Sequence, residues 1–130
     1  MKTLVMATCA AMMIGVTALG GEPLKNVLAD IPYADGQVGK RALVDEKHLL
    51  LMQVALKPGQ QVPQHNANSN VHLLIVEGEI VATLDGKDIP AAKGAILPVP
   101  FKTLMSVRNA SQANASFLIF KSPNPSEMKP

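Results

Sequence analysis

Val71-His72-Leu73-Leu74-Ile75-Val76-Glu77-Gly78-Glu79-Ile80-Val81-Ala82-Thr83-Leu84-Asp85-Gly86-Lys87 is the stretch that decides the fold class of this chain. Its two apolar runs, residues 71–76 and 80–84, are shorter than an ordinary helix and rich in β-branched side chains, which favour strands. Each run is closed by a glycine flanked by charged residues. Asp85-Gly86 suits a two-residue hairpin loop, because both positions tolerate positive φ. The stretch therefore reads as strand, turn, strand, tight turn.

The same texture extends in both directions. Further apolar runs occupy residues 41–44, 49–56, 95–99, 103–107 and 116–121. They are separated by Asp45-Glu46-Lys47, Lys57-Pro58-Gly59, Lys93-Gly94 and residues 109–114, all rich in turn-forming types. No stretch keeps helical spacing for three turns. An all-β sandwich or barrel is expected over residues 41–121. Before it, Pro23, Pro32, Gly36 and Gly39 mark residues 21–40 as an irregular arm that packs on the barrel or on a partner. After it, residues 122–130, with Pro123 and Pro125, read as a flexible tail.

Composition agrees with one domain. The chain has 130 residues, 48% of them hydrophobic, enough for a single core. Aromatics make up 3%, with no Trp, so that core is aliphatic. From residue 21 onward 11 basic side chains face 10 acidic ones, with no run of five or more like charges. That balance argues against a nucleic-acid partner.

The first twenty residues combine Lys2, an apolar segment over residues 4–19, and the small residues Gly20 and Gly21 before the first acid, Glu22. This is the order of a secretory signal peptide, here assigned to residues 1–20 with cleavage after Gly20. The apolar segment is shorter than the roughly 20 residues a membrane-spanning helix needs. Cys9 lies inside it, where a lipoprotein cysteine would follow it. Cys9 is also the one cysteine of the chain, so the mature form offers no disulfide, thiol nucleophile or thiolate ligand. A bacterial periplasmic or secreted protein, free of the membrane once cleaved, is expected.

Two spacings resemble those of the cupin family. Gly59, His65 and Gly78 fall in the frame of its first motif: glycine, five residues, His-x-His, a glutamate three or four residues on, and glycine after six more. Gly94, Pro100 and Asn109 fall in the frame of the second, which carries a further histidine. The resemblance covers about two thirds of the chain. It implies a double-stranded β-helix, or jelly-roll barrel, in a single domain behind the signal peptide.

In the family, the three histidines and the glutamate hold a divalent metal inside the barrel. Here the matching positions read His65, Ala67, Val71 and Met105. One neutral imidazole does not hold a labile divalent ion, since metal sites of this type use three or more protein ligands. No metal or other cofactor is therefore expected. Lys102, at the glycine position of the second motif, adds positive charge near the mouth and disfavours a cation further.

The resemblance places His65, Ala67, Val71, Leu73, Ile75, Phe101, Met105 and Val107 around the barrel interior. They would line a largely apolar pocket for a small, partly hydrophobic ligand, or fill the core. His65 would be a binding or proton-transferring imidazole, or a histidine held by a local hydrogen bond. Met105 would be a soft partner for monovalent copper, or a filler of the space a histidine leaves.

A metal-dependent oxygenase or isomerase site would use His65 with His72 or Met105, His72 joining it after a one-residue slip of its strand. Alternation otherwise sends it outward. The facing of Met52 stays open. Leu74 and Val76 make the strand apolar on its outer face as well, so a cover is expected, either a second copy in a homodimer or the arm.

Overall fold

The computed structural model describes residues 24–128, and the leader lies outside that range. Nine strands follow in order: β1 Gly39–Glu46, β2 Leu49–Leu56, β3 Gln61–Asn66, β4 Asn70–Glu77, β5 Glu79–Leu84, β6 Lys87–Ala92, β7 Ile96–Val99, β8 Leu104–Arg108 and β9 Ala115–Ser122. They form a five-stranded sheet, β1-β2-β9-β4-β7, and a four-stranded sheet, β3-β8-β5-β6. Every pairing is antiparallel. The two sheets close over an apolar core built around Phe117, Leu56, Leu73, Ile75 and Ile80, aliphatic but for the one phenyl ring. The all-β jelly-roll expectation holds. Among the described residues no helix is long and apolar enough to cross a membrane.

The β4–β5–β6 meander follows its sequence closely. In β4 buried and exposed positions alternate, with Val71, Leu73 and Ile75 turned to the core. Gly78 has φ +66, and a Cβ there would overlap the carbonyl oxygen of Asn114, so this turn excludes any larger residue. At the next turn Asp85 and Gly86 have φ 48 and 84, the mirror-image turn that matches strand twist.

Two strands escaped the sequence reading. β3 contributes Val62 to the core and is otherwise largely exposed, and β6 runs Lys-Asp-Ile-Pro-Ala-Ala. Both are the edges of the smaller sheet. An edge strand needs no apolar run, and it tolerates proline because one row of its N–H groups has no ladder partner. Pro63 in β3, Pro90 in β6 and Pro98 in the edge strand β7 blunt those edges against pairing with another chain.

The arm packs on its own barrel, over the outer face of β2 and β9. Gln53, expected as part of an apolar run, points outward and is fully buried. Its Nε2 donates to Val27 O at 2.7 Å and Ser116 Oγ at 3.0 Å, while its Oε1 accepts from Arg41 Nε at 2.8 Å and Nη2 at 2.6 Å. Arg41 also donates to the carbonyls of Asn26, Ala29 and Asp30. Every polar atom of the Gln53 side chain is thus satisfied.

The expected tail is docked as far as Met128. Asn124 is buried, donates to Asp45 Oδ1 at 2.7 Å and Glu46 O at 3.2 Å, and caps a single 3-10 turn at Pro125–Glu127. Polar composition suggested flexibility, but one asparagine supplies enough hydrogen bonds to anchor the segment. Residues 129–130 lie outside the described range.

Candidate functional site

The motif positions gather at one end of the barrel. There the Ala67 N–H donates to Thr103 O and the Lys102 N–H to Ala67 O, each at 2.8 Å, joining the end of β3 to the start of β8. His65 stands directly opposite Met105 in the β3–β8 register. On the facing sheet Val71 lies between Val99 of β7 and Lys121 of β9.

Ala67, Val71 and Met105, at three of the four expected ligand positions, are 3%, 2% and 4% exposed and belong to the packed core. Leu73, Ile75 and Val107 are at most 1% exposed and belong to it too. These six side chains fill space by packing on one another. The apolar-pocket reading is corrected accordingly, in favour of the filled core. Phe101 belongs to neither arrangement: it is 37% exposed in the β7–β8 turn, with Lys102 Nζ 5.4 Å from its ring centroid. Pro100 turns the chain outward there, so the side chain that follows it leaves the barrel.

His65 is exposed at the rim. Its Nδ1 lies 2.9 Å from Pro63 O, and a carbonyl oxygen accepts only. In the neutral ring Nδ1 therefore carries the proton, and Nε2 keeps its lone pair for a ligand. His72 is exposed between buried Val71 and Leu73, and pairs with Phe120 and Pro98 on the outer face. It does not join His65, so the strand slip that would have brought them together is ruled out. Met52 shares a register row with Ile119 and Leu73, which puts it on the inner face of the sheet. Among the described residues no three His, Cys, Asp or Glu side chains group to hold a metal ion.

Asn109, framed by the second motif, has a structural task. It is 1% exposed, donates through Nδ2 to Leu56 O at 3.0 Å and Ala113 O at 2.8 Å, and accepts from Ser111 N at 3.0 Å. It ties the β8–β9 loop to the end of β2.

Two lysines were missed. Lys121 follows Ile119 by two along β9 and pairs with Val71, so it points to the concave side. It is half-buried, and its Nζ donates to Asn68 Oδ1 at 3.1 Å. Burial, and then the positive charge of Lys40, hold its pKa below the usual lysine value. Lys40 pairs with Val54 and so faces the same side from β1. It also lines an open groove of about 850 Å³ between the arm and the edge of β3, with Gln37, Val38, Gln61 and Pro63. The signal available in the sequence was Lys121 two positions beyond Ile119 in an apolar run, a cation on the inner face.

No family model matches the chain. An uncharacterized protein of Methanocaldococcus jannaschii is 34% identical over 87 residues, which span 66% of this chain and 75% of that one. The crystal structure of that same protein, described as an RmlC-like cupin with a double-stranded β-helix fold, superposes with a TM-score of 0.64 at 31% identity, over 73% of this chain and 90% of that one. The chain belongs to the cupin family.

Other solved cupins share the barrel. An RmlC-like cupin from Desulfovibrio desulfuricans superposes with a TM-score of 0.70 at 25% identity, over 77% of this cupin and 95% of that chain. A predicted oxalate decarboxylase from Thermotoga maritima, at 23% identity and a TM-score of 0.59 over 65% of this chain and 80% of its own, is a likeness of fold alone. This cupin thus has the family's barrel with a different set of side chains at the motif positions.

Proposed function

We propose that this cupin is an exported small-molecule-binding or accessory module that works without the family's metal centre. The observation that carries the reading is that Ala67, Val71 and Met105, at most 4% exposed, are core residues where the family has ligands. They bring no donor set for a divalent ion, and His65 alone does not replace one. Core packing beneath His65 moves the binding surface from the interior to the rim and the adjoining groove. The order of residues 1–20 supports export to the periplasm or beyond. The oxygenase or isomerase alternative needs His72 beside His65, and the burial pattern of β4 speaks against it.

Titration of the chelator-treated protein with Mn²⁺ and Ni²⁺ tests the reading. We expect no stoichiometric uptake, and one tightly bound ion per chain overturns it. A copper reading has one observation in its favour, the cross-strand pairing of His65 with Met105. It predicts Cu⁺ retention that Met105→Leu abolishes, since that change keeps the volume and removes the sulfur. Equal retention by that variant ends the copper reading.

A further inference from the structure

We infer that the outer face of the five-stranded sheet joins two copies of this chain, and that a proton taken up by His72 releases them. The register places one continuous row across all five strands: Val44 of β1, Leu51 of β2, Phe120 of β9, His72 of β4 and Pro98 of β7. In the next row Leu74 of β4 pairs with Ile96 of β7. Val44, Leu51, Phe120 and Leu74 are partly exposed, and Pro98, Ile96 and His72 are exposed. His72 is the one titratable member of the row, set among apolar neighbours.

The arm and the tail are anchored on either side of this row. The arm is seated at Gln53 and Arg41, and the tail crosses at the other end, where Asn124 bonds to Asp45 and Glu46. No side chain of fixed charge belongs to the row, so it offers nothing to a charged partner and matches a surface as uncharged as itself. Two-fold association meets that condition, because it sets the same patch of one copy against that of the other. Five strands about 4.8 Å apart make the row about 20 Å long, and a second row adds about 7 Å of width. A patch of that size falls below the roughly 800 Å² per partner of a stable interface. The association is therefore reversible, and a single ionisable group can control it.

The groups that face His72 give a proton no counter-charge. Phe120 flanks it from β9 and Pro98 from β7, with Asn70 and Leu74 two positions away on β4 itself. Leu118 and Ser122 of β9 and Ile96 of β7 take the diagonal places. The acid on this face, Glu46, lies on β1, three strands or about 14 Å away and beyond the screening length at physiological salt. Its Oε1 is 3.8 Å from His48 Nδ1. Arg41, also on β1, is committed to Gln53 and to the arm carbonyls. A neutral imidazole fits an apolar interface, whereas burying an unpaired imidazolium is unfavourable, and a two-fold dimer buries two. Histidine is the side chain that ordinarily changes charge between pH 5 and 8.

Sedimentation of the protein expressed from its full chain, at about pH 7.5 and about pH 5.5 and constant ionic strength, tests the inference. The parent is expected to dimerise at the higher pH and to lose about a hundredfold in affinity at the lower, because each of two imidazoles taken a pH unit into the charged range of an ordinary histidine contributes about tenfold. His72→Gln, polar and uncharged, is expected to associate equally at both. His72→Leu is expected to associate more tightly than the parent at both, which also shows that the barrel stays folded in acid. His48→Gln in the β1–β2 turn and His65→Gln at the rim keep the parent's pH dependence. The inference is overturned if the parent is a monomer at the higher pH, if its affinity is the same at the lower, if His72→Gln keeps the loss, or if either of the other histidine variants abolishes it. A monomeric parent that sediments with phosphatidylcholine vesicles shows lipid as the occupant and equally overturns it.

Discussion

At the residue scale, the positions where this chain departs from the family pattern are the ones with physical consequences. Lys102 stands where the second motif has glycine and keeps φ 75, a conformation that costs a side chain with a Cβ about 1 kcal/mol or more. Lys102→Gly is therefore expected to raise stability by about 0.5–1 kcal/mol, net of the greater freedom glycine gives the unfolded chain. A urea midpoint at or below that of the parent contradicts this. Lys121 gives a second prediction with a definite sign. Its folded pKa lies below the free value of 10.5, so the protonated form is disfavoured by folding. Stability should rise as pH climbs from the folded pKa towards 10.5 and level off beyond it. Subtracting the urea midpoints of Lys121→Met from those of the parent across that range isolates the rise, and a flat difference refutes it.

At the scale of elements, legibility followed burial. β2, β4, β5 and β9 carry apolar runs because they pack in the middle of a sheet or against a neighbour, and their runs were visible in the sequence. β3 and β6 are edges with polar sequences and prolines, so their strand character comes from the sheet they join. The arm was visible as irregular chain, while its seat was not. That seat is Gln53, a polar residue inside an apolar run whose partners, Arg41 and Val27, come from other segments. Gln53→Ala is expected to cost about 2 kcal/mol, because it leaves the guanidinium and the Val27 carbonyl without their partner. Amide exchange over residues 24–38 should quicken in that variant, and unchanged protection there would show that the arm is held by something else. The candidate site was half legible: spacing located His65, Ala67, Val71 and Met105, but the filled core and the inward Lys121 depend on packing across sheets.

At the scale of the whole molecule, the arm covers β2 and β9 but leaves Ile96 on the outer face of β7 66% exposed, in register with half-buried Leu74. A homodimer through this face is the expected cover. Sedimentation should give a dimer for the parent and a monomer for Ile96→Asp, and a monomeric parent would refute the assembly. The central proposal concerns the whole barrel: the family's fold is kept, and with core residues at three ligand positions its metal chemistry is proposed to be given up. The most direct measurement is elemental analysis of the protein expressed from its full chain, purified without chelator or metal-affinity resin, beside a His65→Ala variant. The account predicts metal well below one ion per chain in both. About one ion per chain in the parent, lost in His65→Ala, would contradict it.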